Sequence, residues 1–345
     1  MDCRKPAWNR PMLSILDHLP AGFLDAQPSG LHEILPDPAL IHLPGRRPEP
    51  LFVSMLLHGN EDTGLRAMQA LLRDYQDREL PRALSIFTGN VSAARFGLRR
   101  LDGQPDYNRI WPGGEPGDSP EHAMMRKIVD LMRERQVFAS IDIHNNTGLN
   151  PHYACVNRLD DAFLHLATLF GRTVVYFLRP TGVQSMAFAK LCPSVTIECG
   201  QPGQDYGIEH AREFVEACLH LAEIPAHPVA AHDIDLFHTM AIVTVPPEIS
   251  FGFGEGDTEL RLLGDLDYLN FRELPAGTLL GWARTGSRAG LAAHNEAGED
   301  VSARYFIRDG GEIRTARRVM PSMLTLDTRV IRQDCLCYFM ERLDT

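Results

Sequence analysis

Leu51-Phe-Val-Ser-Met-Leu-Leu57 runs straight into His58-Gly-Asn-Glu61, and residues 63–75 then place Leu65, Met68, Leu71 and Leu72 at helical spacing. An uninterrupted apolar run of this length reads as a buried strand. Apolar positions three and four apart mark the inward side of a helix. Strand, loop and helix in that order make half of a βαβ unit. The pattern repeats downstream. Leu84-Ser-Ile-Phe-Thr88 is strand-like and leads into a long loop through Pro112-Gly-Gly114. Residues 120–135 read as a helix, with Ser119 as N-cap and Pro120 at the first position. Residues 137–143 form another buried run ending at His144, 159–169 are helical, 173–178 strand-like, and 194–197 end at Glu198 before a helix over 208–221. Such alternation predicts an α/β fold, a mostly parallel or mixed sheet flanked by helices.

The flanks differ. Residues 1–50 are rich in Pro and Gly and predict an irregular segment with one or two edge strands. Ile224-Pro-Ala-His-Pro228 reads as a linker, and beyond it short apolar runs at 240–245, 260–263, 278–282, 305–307 and 336–340 alternate with Gly, Pro and Asp. The expected division is therefore an α/β part over 1–228 and a smaller C-terminal all-β domain over 229–345. A length of 345 residues accords with about two domains at ~100–200 residues each.

Composition narrows the function classes. With 44% hydrophobic and 23% charged residues the chain is of ordinary globular type. A net charge of −11 speaks against a general surface for nucleic acid or an anionic membrane. The stretch MDCRKPAWNRPMLSILDHLPAGFLD lacks the apolar segment of a secretory signal, and no run reaches the ~18–20 apolar residues of a membrane span. Seven scattered cysteines without a CxxC pair suggest neither a disulfide framework nor a cysteine zinc site. The expectation is a soluble cytoplasmic protein with free thiols, without nucleic-acid or membrane partners, and with self-association into a homo-oligomer left open.

The chemistry gathers at strand ends. His58 and Glu61, three residues apart across a strand-to-helix turn, can address one divalent ion, and such an N/O donor set suits zinc. Ser140-Ile-Asp-Ile-His144 offers a second imidazole, and Val195-Thr-Ile-Glu198 a further carboxylate. Each alone has a plain structural reading: HxxE is common, His144 suits a satisfied core histidine, and Glu198 suits a buried ion pair. Their joint placement obeys the rule that α/β sheets bind ligands at the carboxyl ends of their strands. Two His and one Glu leave a fourth zinc position for water, whose pKa the metal lowers to about 7, and Glu198 is the natural base. The long loop adds Arg95, Arg99, Arg100 and, in Asp106-Tyr-Asn108-Arg109, another guanidinium. Arginine matches a carboxylate with its planar fork and stabilises a developing oxyanion, and Arg95 reads as solvated.

Taken in order, these residues resemble the succinylglutamate desuccinylase/aspartoacylase family of the zinc carboxypeptidase-like superfamily. His58-Gly-Asn-Glu61 is similar to its HGNE, Gly89-Asn90 through Arg99 to Asn108-Arg109 to its GN…R…DxNR loop, Asp142-Ile-His144 to the segment of its third ligand, and Thr196-Ile-Glu198-Cys-Gly200 to its TxExG. The resemblance spans residues 51–200, and the trailing β segment fits the same architecture. It implies one Zn2+ per chain held by His58, Glu61 and His144, with Glu198 as general base and later proton donor. Arg99, or Arg100, would polarise the carbonyl, and Asn108 and Arg109 would bind a substrate carboxylate. A tyrosine from the carboxy-terminal part would fall at Tyr268 or Tyr305. The function implied is cleavage of the amide of an N-acyl amino acid or related small carboxylate-bearing amide. The alternatives are a metallocarboxypeptidase acting on a peptide or peptidoglycan fragment and, third, a non-catalytic metal-binding protein.

Overall fold

A computed structural model describes residues 12–343; residues 1–11, Cys3 and the start of the irregular segment among them, and 344–345 lie outside it. Its strands are β1 (Ser14–Leu16), β2 (Ala39–Leu43), β3 (Gly45–Met55), β4 (Leu80–Thr88), β5 (Ala139–His144), β6 (Tyr153–Val156), β7 (Thr173–Tyr176), β8 (Ser194–Glu198) and β9 (Asp235–Thr244). The chain continues with β10 (Phe251–Phe253), β11 (Leu260–Leu262), β12 (Leu279–Ala283), β13 (Ala292–His294), β14 (Phe306–Asp309), β15 (Glu312–Thr315), β16 (Met320–Ser322) and β17 (Cys337–Arg342). The helices are α1 (Leu31–Ile34), α2 (Thr63–Asp74), α3 (Val91–Ala94), α4 (Pro120–Glu134), α5 (Asp161–Phe170), α6 (Gln184–Phe188), α7 (Asp205–His220), α8 (Ser302–Tyr305) and α9 (Thr328–Gln333). No helix among the described residues is long and apolar enough to cross a membrane.

The central sheet is mixed and 12-stranded, in the order β1-β2-β4-β3-β5-β8-β6-β7-β9-β17-β16, with β13 added beside β9. Strands β4, β3, β5 and β8 run parallel at its centre, and β6 is antiparallel to β8. Leu51, Val53 and Met55 pack against the α2, α5 and α7 side. Phe52 points the other way, onto Met125, Ile128 and Phe188 of α4 and α6, and stacks on the Phe188 ring at 4.3 Å. A strand covered on both faces needs no polar alternation, hence the continuous apolar run. The helix at residue 120 begins as expected, with the Ser119 hydroxyl accepting from the His122 N–H at 3.4 Å.

The C-terminal residues divide between two sheets. β10, β11, β12, β15 and β14 form a separate five-stranded sheet, while β9, β13, β16 and β17 extend the central one. β9 is parallel to β7 and antiparallel to β17. Val243 and Phe339 of the central sheet share an apolar core with Leu260, Leu262 and Ile313 of the small one. This extension carries C-terminal residues over the strand ends where the motifs lie.

Candidate metal and active site

β3 ends at Met55, and the chain turns at Leu56 with φ of 54°. Gly59 then lies against the α3 backbone so closely that a Cβ would stand 2.2 Å from the Ala94 nitrogen. No other residue closes this turn. Its N–H donates to the Arg99 carbonyl at 3.1 Å, which ties the HGNE turn to the arginine loop. His144 ends β5 and lies in register opposite Glu198, the last residue of β8. Tyr153 of β6 is opposite Glu198 on the other side.

His58, Glu61 and His144 are buried, and one donor atom from each falls within 4.8 Å of the others. Glu61 bridges the imidazoles: His58 Nδ1 is 2.8 Å from its Oε1 and His144 Nδ1 is 2.7 Å from its Oε2. Each ring turns its far nitrogen to a second carboxylate, His58 Nε2 to Asp106 at 3.1 Å and His144 Nε2 to Asp142 at 2.8 Å. Asp142 is itself held by the Ser54 hydroxyl at 2.6 Å. A carboxylate behind each imidazole is the usual support of metal-ligating histidine, fixing ring orientation and raising basicity. The convergent Nδ1 atoms and the Glu61 carboxylate fit zinc in number, type and spacing.

The electrostatics follow from this crowding. Burial works against the charge on Glu61, but the two imidazoles outweigh it and hold the carboxyl below its usual range. Burial and Arg99 oppose protonation of His58, while Glu61 and Asp106 overcome them and raise it. His144 is raised well above its ordinary value, because Asp142 and Glu61 outweigh its burial. Glu198 differs. No guanidinium among the described residues pairs with it, its Oε2 accepts from the Asn146 amide, and burial pushes its carboxyl up to about 8.

Arg99 is buried and donates to Asp106 at 3.0 Å and to Asp334 at 3.2 Å. Arg109 donates to the other oxygen of Asp334 at 2.6 Å. The Asn108 amide reaches His144 Nε2 at 3.1 Å, and its carbonyl accepts from the Gln184 N–H at 2.9 Å. One pocket is lined by seven of the residues singled out in the sequence: His58, Glu61, Arg99, Asn108, Arg109, His144 and Glu198. Arg100 stands aside and donates to the Gln104 carbonyl at 2.8 Å. Tyr268 is exposed, and Tyr305 packs in the second core; the tyrosines of the pocket are Tyr153 and Tyr338.

Several residues of this site escaped the reading of the sequence as chemical groups. Asp142 was within reach, since two residues before His144 on a strand means the same face. Asp106 lies inside the quoted loop. Thr239, Met323, Asp334 and Tyr338 carry no motif and reach the pocket only because β9, β16 and β17 join the central sheet.

The succinylglutamate desuccinylase/aspartoacylase catalytic domain matches residues 50–224. Among solved structures, a succinylglutamate desuccinylase/aspartoacylase from Rhodobacter sphaeroides is similar at 16% identity and a TM-score of 0.59, covering 88% of each chain. A succinylglutamate desuccinylase from Chromobacterium violaceum is similar at 15% identity and a TM-score of 0.56, covering 87% of this chain and 86% of that one. Murine aminoacylase 3 gives 15% identity and a TM-score of 0.51, covering 86% and 96%. At these identities the structures show a shared fold. No curated protein sequence matches the chain.

Proposed function

The chain belongs to the succinylglutamate desuccinylase/aspartoacylase family, and from that premise we propose that it is a zinc-dependent deacylase hydrolysing the amide of an N-acyl amino acid. The observation that carries this reading is the buried His58–Glu61–His144 cluster with Glu198 in register beside it. His58, Glu61 and His144 would hold the ion. Bound there, zinc would supply Lewis-acid chemistry and make an attacking water more acidic.

The remaining steps belong to side chains. Glu198 takes a proton from the attacking water and returns it to the leaving nitrogen. Burial strengthens this carboxylate as a proton acceptor, and a cation nearby would offset burial enough for it to be ionised before the water attacks. Arg99, held on one edge by Asp106 and Asp334, stabilises the charge that develops on the scissile carbonyl. Asn108 and Arg109 receive a polar end of the substrate. We assign residues 1–228 to the catalytic part and 229–345 to a β part that completes the pocket wall.

Elemental analysis should find about one zinc per chain, and the zinc-loaded protein should release free amine from N-acyl amino acids faster than from short peptides. Full activity after chelation and removal of metal would overturn the zinc assignment. Faster cleavage of peptides would overturn the substrate class.

A further inference from the structure

The pocket holds three arginines, and they are not equivalent. Arg99 and Arg109 share Asp334, and Arg99 also holds Asp106. Two cations thus meet two carboxylates of the chain itself, and burial keeps water from screening them. A substrate carboxylate placed there would face Asp334 at close range.

Arg179 is the exception. It lines the same pocket, and its only hydrogen bond among the described residues runs from Nε to the Glu296 carbonyl at 2.9 Å. Among the described residues no carboxylate stands within ion-pair distance of it, so both terminal nitrogens are free for a planar anion. Its position is built in. The loop after β7 is pinned at Gly182, whose carbonyl accepts from the Trp111 N–H at 2.9 Å. Gly182 adopts φ of +74°, and a Cβ there would stand 2.0 Å from the Arg109 carbonyl oxygen. The Arg179 loop and the Arg109 segment are therefore locked together. The pocket that Arg179 lines is largely apolar, with Cys155, Val175, Phe177, Val183 and Met323 among its walls.

Resting on the deacylase reading, we infer that Arg179 receives the substrate carboxylate and that Asp334, by filling the other two arginines, restricts the substrate to a single carboxylate with an apolar remainder. Arg109 then meets an uncharged polar atom of the substrate. Dicarboxylic acyl groups and acidic amino acids are disfavoured, because a largely apolar pocket with one uncommitted arginine leaves a second anion without a partner.

The zinc-loaded enzyme is assayed on N-acetylleucine, N-acetylleucinamide and N-succinylglutamate, and binding of the same three to Glu198→Gln is followed by calorimetry. N-acetylleucine should be preferred to each of the others by at least about tenfold in kcat/KM, as expected for one charge-assisted contact. Arg179→Gln should lose roughly tenfold to a hundredfold on N-acetylleucine, mainly through KM, and nothing on the amide, with Arg179→Lys between. Asp334→Asn should narrow the gap between N-succinylglutamate and N-acetylleucine. Preference for N-succinylglutamate would overturn the inference. So would equal losses on acid and amide in Arg179→Gln, or loss of the acid preference in Arg109→Gln alone. Should no substrate turn over, the deacylase reading fails. Calorimetry then still decides the inference, by whether Arg179→Gln removes selective binding of the acid over the amide.

Discussion

Two sides of the pocket are built differently. The strand-end side, made by His58, Glu61, His144 and Glu198, consists of residues at the last positions of β5 and β8 or just beyond β3, held in register by a parallel sheet. The other side, made by Thr239, Met323, Asp334 and Tyr338, comes from a segment whose strands join that sheet much later in the chain. The first side concentrates donors for an ion. The second trims the charge and shape of what can approach it, through Asp334 on two arginines and apolar groups beside them. On the proposed reading, the fold's centre would supply the chemistry and its extension the selectivity.

The comparison breaks most severely at Glu61. Glu61→Ala removes the carboxylate bridging both imidazoles, so metal affinity should fall by more than the ~10–100-fold that losing an outer partner costs, and hydrolysis should drop to background. Elemental analysis and rates check both. A variant that keeps stoichiometric zinc would remove Glu61 from the ligand set. Next in size is Glu198→Gln. It should keep its zinc while turnover falls by roughly 10²–10⁴, and an undiminished rate would mean that Glu198 is not the base. The two variants separate holding the ion from using it.

On the other side, Asp334→Asn strips a buried carboxylate from Arg99 and Arg109. Burial resists the charge of Asp334, but Arg109 and Arg99 outweigh it and lower its pKa. Removing one partner of such a buried group costs ~3–5 kcal/mol, so denaturant unfolding should shift by that order while zinc content stays unchanged. If zinc were lost instead, the two sides would not be separable in the way described.

How much of this was legible in the sequence tracks the same division. The run from Leu51 to Leu57 and the helix after it are local signals, so the α/β centre and the residues at its strand ends could be read directly. β3 ends at Met55, two residues before the apolar run does, because Leu56 and Leu57 line the turn. Asp334 had no such signal. It follows α9 on a C-cap with no periodicity, and its partners lie 225 and 235 residues away. The residues after 228 read as a smaller all-β domain, and local pattern says nothing of what it pairs with. Strand β9, with alternating burial, pairs with β7, an association that depends on register across distant segments.

A histidine outside both sides gives the smallest effect and the control for the others. His42 on β2 is buried, with Nδ1 2.8 Å from the Ser85 hydroxyl. Burial, aided by Arg135, lowers its pKa to about 4, whereas unfolded histidine titrates near 6.5. Between those values the unfolded chain binds more protons, so stability from this group is present above pH 6.5 and lost as pH falls toward 4. At pH 5.5 the loss is about 1 kcal/mol. In the metal-free protein His58 and His144 act in the opposite sense, since their raised pKa values give stability that is present below pH 6.5 and lost as pH rises through them. Measured by denaturant unfolding of chelated protein at pH 7.5 and 5.5, His42→Gln should lose less stability on acidification than the parent chain. An equal loss would assign the acid sensitivity elsewhere and leave His58 and His144 without this internal reference.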